Sequence, residues 1–569
     1  MPEPAVTSGS APAFQERCSS YRSLCEAFQA SVAARGDSPA LAAYGKGPTL
    51  SWREAGRQVE RLAGSLAALG IAEGDTVAFL LRNRPELNLL DAAALHLRAV
   101  PWSMYLTSSP EQMRVLLAGA ESRVVISETD LLPRVREALA GTAVEHVIDI
   151  ADFDQLPPAP AGFDFAAQWQ AVGREHPLTI IWTSGTTGAP KPVELTHGSM
   201  LSTLDAITAT ANLRPAGRLL SALPPAHVGD RWSAYCWWIT LGAEMTCVSD
   251  ISEFIAATAQ VHPTIWGSVP RLWEKLRAAL EAQGVTAPDK LTEEAKSAIR
   301  AKLGLDAVQV LLVGAAPLAV ETQRYFDDLG LPICELWGMS ESTGILTFNP
   351  PDARRIGTVG IPLPGVEIKL ADDGEVLARG PVLMRGYRNR PELTAETLID
   401  GWLHTGDVGR IDEDGYLSII DRKKELIINA AGKNMSPLAI EAALTTAGPL
   451  IGQACVIGDG RPYNVALLVL DADMLGAWGR EHAMPDADYT TLARNPDVQA
   501  AVATEVATAN NRLSRVEQIK AWRVMDADWL PNSTELTPTM KLKRRPIAEK
   551  YAGLIDELYA STTAAHQVS

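Results

Sequence analysis

The sequence predicts an α/β protein. It has a large N-terminal body of doubly wound parallel sheets, a small β subdomain at about residues 352–421, and a smaller α+β region from residue 422 to 569. Three observations carry this. From residue 52 to about residue 340, short apolar runs alternate with segments of helical period, the order that winds helices over both faces of a parallel sheet. After Pro351, short β-type runs follow one another with Gly, Pro and Asp turns between them. After Asp421-Arg422-Lys423-Lys424, which reads as a charged break and the domain boundary, α and β signals mix.

Taken in order, residues 1–17 are Pro/Ala/Ser-rich with no long apolar run, and read as a disordered tail rather than a signal peptide. Residues 52–70 carry Ala55, Val59, Leu62, Leu66 and Leu69 at helical spacing, with Gly70 as the stop. A strand at 76–81 and an apolar helix at 86–97 follow. Ser109-Pro110-Glu111-Gln112 has capping-box form and opens another helix. Strands are expected at 124–127 and 144–150, a surface linker at 156–162, a strand at 178–182 and a helix at 198–211. The strand at 219–223 ends at Pro224-Pro225-Ala226-His227; beyond it lies a Trp-rich segment with Trp232, Trp237 and Trp238. A strand at 263–268 leads to a helix at 270–283, and residues 286–302 are charged and exposed. The strand at 308–313 runs into Gly314-Ala315-Ala316-Pro317, and that at 332–336 into Trp337-Gly338-Met339-Ser340-Glu341-Ser342. In a parallel sheet such strand ends share one edge, which gathers their loops around one crevice. Beyond it, strands are expected at 358–361, 366–370, 375–378 and 416–420, with Asp412-Glu413-Asp414-Gly415 as a hairpin turn.

Composition narrows the function. The 47% hydrophobic content supplies a large core, and the net charge of −17 argues against a general nucleic-acid binder. The six cysteines form no CxxC pair, which argues against zinc and disulfide frameworks and fits a reducing cytoplasm. No stretch of about 18 uncharged apolar residues occurs, so no transmembrane helix is expected.

The densest chemistry lies at residues 183–191. Gly185 and Gly188 permit a close backbone approach, Thr183, Ser184, Thr186 and Thr187 bring hydroxyl donors, and Lys191 brings a charge. Such a loop after a strand suits a polyphosphate. It is not the GxxxxGK[ST] loop, because Pro190 stands where its second glycine belongs.

These motifs, in this order, resemble the adenylate-forming superfamily of acyl-CoA synthetases, luciferases and peptide-synthetase adenylation domains. Residues 314–318 and 537–544 bring the resemblance closest to bacterial long-chain fatty-acid–CoA ligases. It implies ATP, Mg2+ and coenzyme A as cofactors and co-substrate, and a fatty acid as substrate. It implies that residues 183–191 hold the β- and γ-phosphates. Trp337, standing where Tyr is usual, packs on adenine beside Gly338 and Met339. Ser340, where Thr is usual, binds the α-phosphate, and Glu341 holds Mg2+. Asp407 and Arg422 hold the ribose, and Gly314, Ala315 and Ala316 border the adenine and acyl pocket. His227 and Trp232 belong to the acyl region, with His227 counted among the catalytic residues. Lys541 bridges the substrate carboxylate and the α-phosphate, and Lys424 is the hinge of a mobile C-terminal lid. Lys543, Arg544 and Arg545 read as a solvated basic face.

One departure is Pro192, where the family has glycine after Pro-Lys; proline removes an N–H, and weaker ATP binding is the expected result. Two other functions compete: a ligase that loads an acyl-carrier protein, and a binding module that keeps the fold without catalysis. The compact path from Glu341 to Asp407 argues against the first. The intact set Glu341, Asp407, Arg422 and Lys541 argues against the second. Peripheral membrane contact and oligomeric state, monomer or homodimer, stay open.

Overall fold

The computed structural model describes residues 17–183, 190–430, 433–538 and 540–566. The expected tail, but for Arg17, lies outside them. Arg17 donates to Asp205 at 3.0 Å, just before the short 3-10 helix Cys18–Ser20.

The helices begin where local chemistry starts them. Trp52–Ala68 opens on a capping box between Ser51 and Glu54 and buries Trp52, Ala55, Val59, Leu62 and Leu66 on one face. Pro110–Ala120 opens on the matching box of Ser109 and Gln112, with Pro110 in the first turn.

The sheets are parallel where crossover helices join the strands. One runs Val100–Ser103, Thr76–Leu80, Ser122–Ser127, His146–Asp149, all parallel. A second sets Ile265–Ser268, Val310–Val313 and Ile333–Trp337 parallel. Thr347–Phe348 and Ile361–Pro362 extend it antiparallel. Arg218–Ser221 lies in neither. It sits in a third sheet with Glu244–Cys247 and Pro39–Ala43, so the three strands expected to share one sheet edge divide between two sheets. The backbone N–H of Thr264 donates to Arg218 O at 2.9 Å, which brings those two sheets side by side.

Three expectations are corrected here. The strand before the phosphate loop, Pro177–Thr183, pairs antiparallel with Lys191–Thr196, a strand that the sequence reading lacks, and so departs from the expected parallel winding. The connection is too short for a crossover, which takes a dozen residues or more. The stretch 421–424 is not wholly a break: Leu417–Arg422 is one strand, and Asp407 lies opposite Arg422 across it. In the subdomain, residues 358–360 are loop and only Ile361–Pro362 is strand.

The Trp-rich segment also divides. Trp237 and Trp238 are fully buried; Trp238 stacks on Trp52 at 5.1 Å and meets Phe28 edge-on at 5.7 Å. They are core that seats the first two long helices. From Ile427 onward the chain has its own buried apolar clusters, around Ile440, Leu468 and Val502 and around Leu467, Trp529 and Leu558. None of these includes a residue from the clusters that precede them.

Candidate active site

Strand ends from several sheets open on one cleft of about 3410 Å3. Its lining includes Thr183, Lys191, His227, Trp232, Gly314 to Ala316, Trp337 to Glu341, Asp407, Arg422, Lys424 and Lys541. Ser184, Gly185, Thr186, Thr187 and Gly188 lie outside the described residues. Their flanks are placed: Thr183 ends one hairpin strand, opposite Lys191 at the start of the next.

The middle of the cleft is a buried acid with fixed partners. Asp407, 5% exposed, accepts the Trp337 indole N–H on Oδ2 at 2.9 Å and pairs through Oδ1 with Arg422 Nε at 2.8 Å. Burial pushes its carboxyl up; the charges of Arg422 and Lys541 and the Trp337 N–H hold it back. Trp337 therefore does more than present a ring face: its one polar atom is committed to the acid.

Glu341 sits in the turn Ser340–Ser342, 6% exposed, and accepts the Tyr387 O–H on Oε1 at 2.8 Å. The turn is tight. A Cβ on Gly338 would stand 2.5 Å from Gly344 O, and one on Gly344 would stand 2.7 Å from the Trp232 ring. Trp232 packs edge-on against Trp237 at 5.1 Å and so forms a wall between the turn and the core. At the end of the adjacent parallel strand, Ala315 holds φ at 72°, a backbone angle that alanine rarely takes.

His227 caps a short helix, its Nδ1 accepting Gly229 N–H at 3.0 Å, which leaves the ring proton on Nε2. Burial, with a smaller push from the Lys541 charge, takes its pKa down to about 4, so the ring is neutral at physiological pH. Lys541 comes from the other side, on a loop closed by Thr537 N–H to Lys541 O at 2.8 Å and Lys541 N–H to Thr537 Oγ1 at 3.0 Å. Its side chain stays open to the cleft although protein encloses it. That enclosure, then the Arg422 charge, lowers its pKa; Asp407, Glu425 and Glu341 oppose the shift.

Two further expectations are corrected. Arg544 is not a solvated charge: it forks onto both oxygens of buried Glu441, at 2.5 and 2.6 Å, and reaches Glu425 beside Lys424. Lys543 donates to Ser533 O at 2.8 Å, and only Arg545 is largely exposed. Pro192 does not face the loop. Its carbonyl accepts Arg388 N–H at 2.8 Å. In an extended strand the N and C=O of one residue point to the same edge, so its ring nitrogen faces the Gly386–Tyr387 side. The pairing there covers Val193 and Glu194 and ends at the Arg388 N–H to Pro192 O bond, because proline has no N–H to return to Arg388. Tyr387 and Asp421 escape the sequence reading. Tyr387 sits on a strand of two residues, too short to show a period. Asp421 is a buried acid that accepts Ser436 Oγ–H at 2.5 Å and Leu438 N–H at 3.1 Å, from beyond Lys424.

Among known proteins, the AMP-binding enzyme family matches residues 28–388, and the AMP-binding enzyme C-terminal domain matches residues 424–563. The protein fadD11 of Mycobacterium tuberculosis, provisionally named a fatty-acid–CoA ligase, is 46% identical over 70% of this chain and 76% of its own length. The long-chain-fatty-acid–CoA ligase FadD15 of Mycobacterium bovis is 36% identical over 89% of this chain and 91% of its own. Among solved structures, o-succinylbenzoate CoA synthetase from Bacillus subtilis, in complex with its acyl-adenylate intermediate, superposes with a TM-score of 0.73. It covers 91% of this chain and 97% of its own, at 22% identity, and the likeness is one of fold.

Proposed function

The chain belongs to the AMP-binding enzyme family, and from that premise we propose that it is a long-chain fatty-acid–CoA ligase working in two steps. A carboxylate oxygen of the fatty acid attacks the α-phosphorus of ATP; the acyl-adenylate forms and pyrophosphate leaves. The thiol sulfur of coenzyme A then attacks the acyl carbon, AMP leaves with the bonding pair, and the thiol proton passes to solvent. The observation that carries the reading is the convergence of Trp337, Glu341, Asp407 and Lys541 on one cleft, in a chain whose relatives are named fatty-acid–CoA ligases.

Asp407, held by Trp337 and Arg422, accepts hydrogen bonds from the ribose hydroxyls on its remaining lone pairs. The loop 183–191 takes the terminal phosphates, with Lys191 at its exit, and Ser340 the α-phosphate. Gly314 to Ala316 border the adenine and acyl regions. Neutral His227 and Trp232 shape the acyl entrance. Lys541 brings a positive charge to the place where charge builds during adenylation. Lys424 is the pivot about which residues beyond it swing between the two steps; a pivot carries no chemistry and only absorbs backbone rotation.

Magnesium fits Glu341. Among the described residues Glu341 accepts one side-chain hydrogen bond, on Oε1, and no group of three or more His, Cys, Asp or Glu forms a metal cage. One hard carboxylate plus substrate phosphates is the donor set magnesium takes, and the ion supplies neutralisation of the triphosphate. The reading places the enzyme in the cytoplasm, where its six free, buried cysteines stay reduced. No helix among the described residues is long and apolar enough to cross a membrane.

The test is pyrophosphate release with a panel of fatty acids, with and without coenzyme A. Release that rises with chain length, and acyl-CoA only when coenzyme A is present, is expected. Adenylate that transfers only to a carrier protein, or no release with any acid, overturns the reading.

A further inference from the structure

Lys191 and Glu341 belong to motifs far apart in the chain, and one short segment joins them. Gly386–Tyr387 pairs with the Lys191–Thr196 strand, Tyr387 opposite Val193. Arg388 N–H donates to Pro192 O at 2.8 Å. The same segment grips the other motif: Met384 N–H donates to Glu341 O at 2.8 Å, and Val382 O accepts Thr343 Oγ1–H at 2.6 Å. Tyr387, 4% exposed, stands at the joint. Its hydroxyl donates to Glu341 Oε1 at 2.8 Å, and the Lys191 ammonium lies 5.3 Å from its ring centroid.

We propose that Tyr387 is a positioning residue for the triphosphate and its magnesium: its O–H fixes Glu341 so that Oε2 faces the cation, and its ring holds the Lys191 ammonium beside the same site. This rests on the reading that Glu341 holds the metal and Lys191 a phosphate. A glutamate side chain has three rotors, and ordering them on binding costs affinity. A hydrogen bond on one oxygen orders them beforehand, as outer partners do for metal ligands in general. The ring attracts the ammonium through its quadrupole and keeps it from folding back onto Glu341. Two oppositely charged groups that must both contact the nucleotide are thus held apart by one neutral side chain.

Equilibrium binding tests this on the whole enzyme. Mn2+ is titrated in the presence of a non-hydrolysable ATP analogue and free ion is read by electron paramagnetic resonance; analogue binding without metal is read by calorimetry. Y387F keeps the ring and loses the hydroxyl. Its Mn2+ affinity is expected to fall about tenfold, with metal-free analogue binding unchanged. Y387L, which also loses the ring, is expected to weaken metal-free analogue binding as well. E341Q separates the two claims. If E341Q weakens Mn2+ binding and Y387F does not, the Tyr387 proposal is overturned and the Glu341 reading stands. If neither weakens it, the Glu341 reading fails and takes the proposal with it. Circular dichroism of each variant, matching the parent, assigns the losses to the site rather than to misfolding.

Discussion

Asp407 and Lys541 face the same cleft and are built in opposite ways. Asp407 lies on a strand, is nearly inaccessible, and has both oxygens engaged by residues of its own body. Lys541 lies on a loop, and its ammonium has no ion pair among the described residues. Beyond buried Asp421, which holds Ser436 and Leu438 at the boundary, the region that carries it is seated by exposed or half-exposed polar contacts: Arg271 to Asp471 at 2.8 Å, Lys275 to Asp473 at 2.6 Å, and Asn532 to Thr107 O at 2.6 Å. Exposed ion pairs are worth about 0–1 kcal/mol each. The contrast teaches a division of labour. On the proposed function, the nucleotide cradle is ordered in advance, and the charge that serves adenylation is brought by a region with few fixed polar partners around its ammonium.

The largest expected effect is on the delivered charge. Lys541→Ala should slow acyl-adenylate formation by about 10²–10³-fold, the usual cost of losing one preorganised electrostatic group. Conversion of supplied acyl-adenylate to acyl-CoA should persist. Unchanged pyrophosphate release would remove Lys541 from the mechanism and dissolve the contrast.

Next is the cradle. Trp337→Phe keeps an aromatic face and removes the N–H on Asp407. A hydrogen bond to a charged group is worth roughly 1.5–3 kcal/mol, so ATP binding should weaken about tenfold or more. A donor favours the ionised carboxylate, so its loss raises the Asp407 pKa, and the acid limb of kcat/KM for ATP should move to higher pH. An unmoved limb would show that Arg422 alone sets the acid.

The seat should respond weakly. Asp471→Asn and Lys275→Ala should each change the ratio of acyl-CoA to accumulated adenylate by less than about fivefold, and the effect should shrink as salt rises. A loss comparable to that of Lys541→Ala would mean the seat is rigid.

The smallest effect is at Pro192. Because its nitrogen faces the Gly386–Tyr387 edge, Pro192→Gly should leave the KM for ATP within about twofold and lower the melting temperature slightly, glycine in a strand costing roughly 0.5–1 kcal/mol. A marked fall in the KM for ATP would show that a backbone donor at this position reaches the nucleotide.

What is local or contiguous can be read from the order of residues alone. The helix at Trp52–Ala68 follows from a capping box and an apolar spacing, and the strand ends at Gly314 and Trp337 follow from apolar runs that stop in small or polar residues. The site motifs were legible for the same reason: each is a short string read without knowing what lies opposite. Tertiary structure decided the pairings. The Trp337–Asp407 bond joins positions 70 residues apart, and the Arg544–Glu441 fork positions 103 apart. Trp232 and Trp237 stand in one run, yet one faces the cleft and the other the core. The edge to which Pro192 turns its nitrogen depends on which strand lies beside it. Register and packing between distant segments set these partners, and no periodicity along the chain encodes them, because a side chain's neighbours across a sheet are fixed by the pairing of two strands rather than by the order of residues in either.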